Sequence, residues 1–123
     1  MAKKILIVDD SDTARLTVKN YLGGNFEVVE ATDGLDALNK LQEIKDIDLL
    51  ILDVNMPELD GIEVVQEMAK RDEIKKVWTI MLTTETSPRM KDAVRVHSFV
   101  RCWIIKPLTK DLLKAAIKKI FKE

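Results

Sequence analysis

Five short apolar runs alternate with five amphipathic segments along this chain, and that alternation limits the fold more than any other feature. KILIVDD (residues 4–10) reads as a first strand. A helix follows, capped by Ser11 or Asp12, with Ala14, Val18, Tyr21 and Leu22 on one face. Gly23-Gly24 stops it, and Phe26 to Ala31 makes a shorter second strand. Thr32-Asp33-Gly34 opens a helix that turns Ala37, Leu38, Leu41 and Ile44 inward. The third strand lies within DLLILDVNMPELDG (residues 48–61), and Val64, Val65 and Met68 mark the inner stripe of the helix after Gly61. Val77 to Leu82 is the fourth strand, ending in Thr83-Thr84-Glu85. Ser87-Pro88 gives an N-cap with proline at the first helical position, and Met90, Ala93, Val94 and His97 share the inner face that follows. Cys102 to Ile105 is the fifth strand, closed by Lys106-Pro107. Thr109 caps a last helix that buries Leu112, Leu113, Ala116, Ile117 and Ile120. Such alternation predicts a doubly wound five-stranded parallel sheet with five helices on its two faces, an α/β fold. With 123 residues the chain is expected to form a single domain over 1–123.

No apolar run approaches the roughly 20 residues of a membrane span, so no membrane insertion is expected. The apolar stretch after Lys4 is too short for a signal-peptide core, which predicts a cytoplasmic protein. The single Cys102 excludes an internal disulfide and reads as a small buried side chain. The net charge of −1 conceals a gradient. From Met1 to Thr86 there are 18 acidic and 10 basic residues, and from Ser87 onward 3 acidic and 10 basic. Such asymmetry marks a binding surface, or else lysine-rich solvated helix faces.

In an open parallel sheet, ligands bind beyond the carboxyl ends of the strands. Asp9 and Asp10 follow the first strand, Asp53 the third, Thr83 the fourth and Lys106 the fifth. Polar residues end any strand that must emerge into water, and this explains one or two of these positions. It explains poorly three carboxylates on neighbouring strands with one lysine beside them. Two carboxylates ~4 Å apart repel by about 4 kcal/mol at an effective dielectric of 20, so the group takes up protons or recruits a cation. An oxygen-only set without His or Cys favours a hard ion such as Mg²⁺, or Mn²⁺ in its place. The matching chemistry is phosphoryl transfer to a carboxylate: a metal and Lys106 neutralise the equatorial oxygens, Thr83 donates to one, and the central Asp53 is the nucleophile.

IVDDS, LLILDVNMPELDG, IMLTTE and WIIKP, in this order and spacing, resemble the receiver domains of two-component response regulators, over nearly the whole chain. The resemblance implies a flavodoxin-like sheet in the order 2-1-3-4-5. It implies a phosphoryl group received on Asp53 from a histidine kinase or a small donor such as acetyl phosphate. Asp10 and Asp53 would bind Mg²⁺ directly, Asp9 largely through water, and Asn55 through its backbone carbonyl. Lys106 would contact the phosphoryl group, with a cis bond to Pro107. Thr83 and Trp103 match a switch pair that carries the signal to the face formed by the fourth helix, fifth strand and fifth helix, where a downstream effector binds. Asn55 and Glu85 match positions that tune the lifetime of the aspartyl phosphate. TTE, with a Trp three residues before Lys106, is similar to CheY-like chemotaxis regulators. The protein is then not an enzyme beyond its own phosphorylation and dephosphorylation, and a monomer is expected. One departure stands out. Phe99 and Val100 replace the usual Gly-Ala before the fifth strand, and Phe takes the left-handed conformation of a helix-ending glycine only with strain. The exit from the fourth helix must be built differently.

Three other readings compete. A Mg²⁺-dependent phosphatase with an aspartyl intermediate would carry a second carboxylate where Asn55 stands, and would need a substrate cap. A flavin module of the same topology would need a Ser/Thr/Gly-rich phosphate loop after the first strand. A degenerate receiver would act as an interaction module without phosphorylation. Trp103 on its own also reads as a half-buried core aromatic, and His97 as packing rather than a relay histidine. Arg89, Lys91, Arg95, Arg101, Lys110, Lys114 and Lys118 lie on the output segment, predicting an effector with acidic residues around an apolar anchor. Nucleic acid is disfavoured by the slightly negative net charge.

Overall fold

The computed structural model describes residues 2–84 and 88–121. In chain order it runs β1 (Lys3–Val8), α1 (Asp12–Leu22), a 3-10 turn (Gly23–Asn25), β2 (Phe26–Ala31), α2 (Gly34–Glu43), β3 (Leu49–Asp53), α3 (Gly61–Lys70), β4 (Trp78–Thr83), α4 (Pro88–Val94), β5 (Val100–Ile105) and α5 (Lys110–Phe121). All four strand pairings are parallel and the sheet order is β2-β1-β3-β4-β5, the predicted doubly wound arrangement.

Successive strand residues point to opposite faces, and this divides the core in two. Leu6, Val8, Leu50, Leu52 and Met81 pack with Ala37, Leu38 and Leu41 of α2, Val64, Val65 and Met68 of α3, and Val94 of α4. Ile5, Ile7, Leu49, Ile51, Ile80, Leu82 and Ile104 pack on the other face with Val18 and Leu22 of α1 and Leu113, Ala116, Ile117 and Ile120 of α5. β3 is buried along its whole length because it lies in the middle of the sheet with both faces covered.

Caps set where the helices begin. Ser11 rather than Asp12 caps α1, accepting from the Ala14 amide; Asp33 caps α2; and Asp60 forms a capping box with Glu63 on α3. Thr109 Oγ1 accepts from the Leu112 amide at 3.1 Å, as expected of the α5 cap. The predicted Ser87 cap lies outside the described residues.

Several local expectations are corrected. α4 ends at Val94, so His97 is not on a helix face; its amide donates to Val94 O, and its ring meets Phe99 with centroids 5.6 Å apart. Leu112 is 48% exposed, because α5 buries only the stripe through Leu113, Ala116, Ile117 and Ile120. Cys102 is half-buried rather than buried. β5 starts two residues early, at Val100. Thr79 pairs with Val100 and Ile80 with Cys102, so Arg101 is the extra residue of a bulge. Phe99 fills the α2–α3–α4 face of the core while its carbonyl accepts from the Thr79 amide at 2.8 Å. Among the described non-glycine residues only Glu58 has a positive φ, so the exit from α4 does without the left-handed residue that a glycine would supply.

Candidate functional site

The carboxyl ends of β1, β3, β4 and β5 bring Asp9, Asp10, Asp53, Asn55, Thr83 and Lys106 to one edge of the sheet. Asp53 is the last residue of β3 and is 1% exposed. Its position follows from the approach of α3: a β-carbon on Gly61 would stand 2.7 Å from the Asp53 carbonyl oxygen and 2.8 Å from Val54 Cα. Only a glycine lets the helix start so close beneath the carboxylate. The PELDG turn seen in the sequence therefore seats the end of β3, and Glu58 within it takes φ 66° to make the bend.

Two donors meet Asp53 Oδ1, the Asn55 amide at 3.0 Å and Lys106 Nζ at 3.0 Å. Lys106 Nζ also lies 3.9 Å from Asp9 Oδ2, so one cation faces two buried carboxylates. Asp9 Oδ1 accepts from the Ser11 amide at 2.9 Å, which closes the turn between β1 and α1. Asp10 is exposed beside it. Oxygens of Asp9, Asp10 and Asp53 all lie within 4.8 Å of one another. At that spacing each pair of charges repels by about 3.5 kcal/mol at an effective dielectric of 20, and a single lysine does not balance three such pairs. Burial pushes the Asp9 carboxyl above its ordinary value; Asp53 and Asp10 add to this, and the Ser11 amide and Lys106 oppose it. The donor set is all oxygen, convergent and electrostatically strained, and it fits a hard divalent cation.

Thr83 closes β4 and is fully buried. Its hydroxyl donates to Asn55 Oδ1 at 3.3 Å, and its carbonyl accepts from the Lys106 amide at 2.8 Å. The Lys106-Pro107 bond is cis. Trp103 stands apart from the acids: it pairs with Met81 in the sheet and is half-buried against the α2–α3–α4 core, as the plainer reading of that aromatic also had it. Glu85 lies outside the described residues.

Two participants were missed in the sequence. Arg15 is a buried cation on α1 whose Nη1 donates to the Asp9 carbonyl at 2.6 Å, and whose other nitrogens bond Glu30 and Asp12. Its signal was present, since Arg15 shares the stripe of Val18 and Leu22 at i+3 and i+7. Thr84 is the other: its amide (2.9 Å) and hydroxyl (3.3 Å) both donate to Asn55 Oδ1. Nothing in its residue type pointed there.

Comparison with known proteins bears on the chain as a whole. The model of the response regulator receiver domain matches residues 5–118. The chain is 35% identical to the chemotaxis protein CheY1 of Helicobacter pylori over 119 residues, covering 95% of each. It is 38% identical to the chemotaxis protein CheY-3 of Vibrio cholerae over 120 residues, covering 96% of this chain and 91% of that one. A crystal structure of Vibrio cholerae chemotaxis protein CheY4 superposes with a TM-score of 0.86 at 35% identity, covering 98% of this chain and 99% of the other. With matched sequence, matched fold and an acid cluster at the strand ends, the chain belongs to the response regulator receiver family.

Proposed function

We propose that Asp53 accepts a phosphoryl group and that this event switches the protein between two surfaces, controlling a partner in motility or chemotaxis. The observation that carries the reading is the buried Asp53 carboxylate facing Lys106 at 3.0 Å within a cluster of three acids. Among the described residues both donors to Asp53 engage Oδ1, which leaves Oδ2 as the attacking atom. Oδ2 attacks the phosphorus of a kinase phosphohistidine or of acetyl phosphate. The new O–P bond forms as the P–N or P–O bond to the donor breaks, and the electron pair leaves with the imidazole, which takes up a proton, or with acetate. Lys106 pairs with the equatorial oxygens as they reach the site. Asp10 and Asp53 would hold a Mg²⁺ ion directly, Asp9 through water and Asn55 through its backbone carbonyl. When bound, the ion supplies charge neutralisation that one lysine cannot provide.

Thr83 and Trp103 serve as the switch pair. The new charge draws the Thr83 hydroxyl, and the rearrangement is relayed along β4 and β5 to the outer face. That face has the composition of a docking surface: Ile105 of β5 and Leu112 of α5 are 53% and 48% exposed, and Lys110 in the same segment is exposed, whereas Lys114 and Lys118 line the groove between α1 and α5 and Arg101 stacks on Trp78. We infer an effector segment with acidic residues around an apolar anchor, bound less tightly as salt rises. Among the described residues no helix is long and apolar enough to cross a membrane; the cytoplasm, where histidine kinases present their phosphohistidine, is the inferred compartment. Chemotaxis is favoured because the relatives at 35% and 38% identity are named as chemotaxis proteins.

Incubation with acetyl phosphate and Mg²⁺, followed by intact-mass measurement, tests the reading. Wild type is expected to gain one phosphoryl group and Asp53→Asn none. If wild type gains no mass and also fails to bind beryllofluoride, the protein is a degenerate receiver and the proposal is wrong.

A further inference from the structure

Three hydrogen-bond donors converge on one neutral oxygen at the edge of the candidate site. The Thr84 amide (2.9 Å), the Thr84 hydroxyl (3.3 Å) and the Thr83 hydroxyl (3.3 Å) all reach Asn55 Oδ1. A carboxamide oxygen has two lone pairs, so three donors exceed what it satisfies well. The same residue is tied to the acid cluster at its other end, because the Asn55 amide donates to Asp53 Oδ1 at 3.0 Å. Asn55 thus spans from the proposed phosphoacceptor to the last residue of β4 and the one after it. Donors crowded in this way are better matched to an oxygen that carries charge, since bonds to an ionised acceptor are roughly twice as strong as neutral ones.

We propose that Asn55 Oδ1 is an internal stand-in for a phosphoryl oxygen: it occupies the cradle formed by Thr83 and Thr84 in the unphosphorylated protein, and the phosphoryl group must displace it. The proposal rests on Asp53 being the phosphoacceptor, and it adds a competitor built into the chain. Asn55 and Thr84 are both exposed. Water therefore replaces the broken bonds at little cost, and the latch yields to a charged oxygen while remaining closed in its absence. Thr84 gains a specific part: its hydroxyl is a third donor that an alanine there would not provide.

The test reads the latch and the phosphorylation chemistry separately. In the unphosphorylated protein, hydrogen exchange of the Thr84 amide is expected to speed up at least fivefold in Asn55→Ala, and this measurement needs no phosphoryl analogue. At fixed Mg²⁺, the beryllofluoride concentration for half-saturation, followed by fluorine NMR, is expected to fall at least threefold in Asn55→Ala. In Thr84→Val, which removes one donor and leaves the amide, exchange of the backbone amide at position 84 is expected to lie between wild type and Asn55→Ala, and this readout serves alone should Asn55→Ala not fold. Unchanged Thr84 exchange, or a half-saturation that stays level or rises, overturns the latch. Wild type that binds no beryllofluoride while Thr84 exchange responds as expected overturns the phosphoacceptor reading and leaves the Asn55–Thr84 contact standing without a role in switching.

Discussion

Replacing Arg15 by alanine strips a buried cation from the turn that holds Asp9 and Asp10. The Arg15 side chain is 8% exposed and meets partners of very different worth. Asp12 is almost fully solvated, so that ion pair contributes little. Glu30 is about a third exposed and keeps Lys19 as a partner, which limits its share to about 1 kcal/mol. The bond from Nη1 to the Asp9 carbonyl is buried and charge-assisted, and is worth about 1.5–3 kcal/mol. The buried methylene stem adds about 2 kcal/mol, roughly offset by the rotamer freedom that alanine does not lose. Arg15→Ala is therefore expected to cost about 3 kcal/mol. In urea unfolding, with a slope of about 2 kcal/mol/M, the midpoint should fall by about 1.5 M. Arg15→Lys keeps the charge but not the forked geometry and should recover only part of the loss. The same variant should bind Mg²⁺ more weakly, because its outer support for the acid turn is gone. A loss below about 1 kcal/mol, with an unchanged slope, would refute the assignment of the Asp9 carbonyl bond as the main contribution.

Glu58 takes φ 66°, which costs a residue with a β-carbon about 1–2 kcal/mol and an asparagine less. Glu58→Asn should thus stabilise the protein by about 0.5–1 kcal/mol in thermal or urea unfolding, and a lower stability would contradict the strain. Burial alone raises the Glu30 carboxyl, but hydrogen bonds from Lys19 and Arg15 outweigh it and hold the group below the ordinary glutamate value. The native state therefore releases that proton more readily than the unfolded chain. The resulting stabilisation is present above about pH 4.5 and is lost as pH falls through the lower native value. Glu30→Gln should be less stable than wild type at neutral pH and lose that deficit in acid; a deficit that persists in acid would count against the linkage. Gly61→Ala places a β-carbon 2.7 Å from the Asp53 carbonyl oxygen, a main-chain atom that cannot swing aside. It should cost more than about 2 kcal/mol and slow acetyl phosphate modification, and near-normal stability would show that α3 shifts freely.

The parts of this molecule that repeat a simple physical pattern were legible from the residues. Leu49 to Leu52 had to be central because four consecutive apolar residues need both faces of a sheet covered, and they are. The acids were legible because carboxylates at neighbouring strand ends have no packing explanation. Contacts that depend on chain geometry were not. His97 was placed on a helix by its spacing, but α4 stops at Val94 and the residue falls in the turn that carries Phe99 inward. Leu112 was counted with the apolar stripe of the last helix, yet it is one position outside the stripe that α5 turns to the sheet. The Arg101 bulge left no trace in composition, since it arises from how Thr79 and Ile80 meet β5. Thr84 was invisible for a related reason: its partner Asn55 is 29 residues away, and nothing in the sequence says that the two meet.

How a proposed phosphoryl charge on Asp53 would reach the outer face follows from which bonds are buried. The tier around the acceptor is joined by main-chain hydrogen bonds of 2.8 Å, from the Val54 amide to the Leu82 carbonyl and from the Lys106 amide to the Thr83 carbonyl. Those groups lie within the sheet, where breaking a pair without replacement costs about 1–3 kcal/mol for each group left unsatisfied. Asp53, Thr83 and Lys106 thus hold their backbone positions while side chains exchange partners. Thr84 is different, because its bonds to Asn55 are exposed and water can replace them. Beyond it, α4 spans only Pro88–Val94 and buries just Val94 among its residues, whereas α3 and α5 each bury four. A helix with one fully buried residue, and Met90 and Ala93 only partly buried beside it, yields at lower free energy than one with four. A phosphoryl charge on Asp53, as proposed, would therefore be relieved through Thr84 and α4 rather than through α3 or α5. β5, next to α4 in the chain, is the strand on which Ile105 stands exposed.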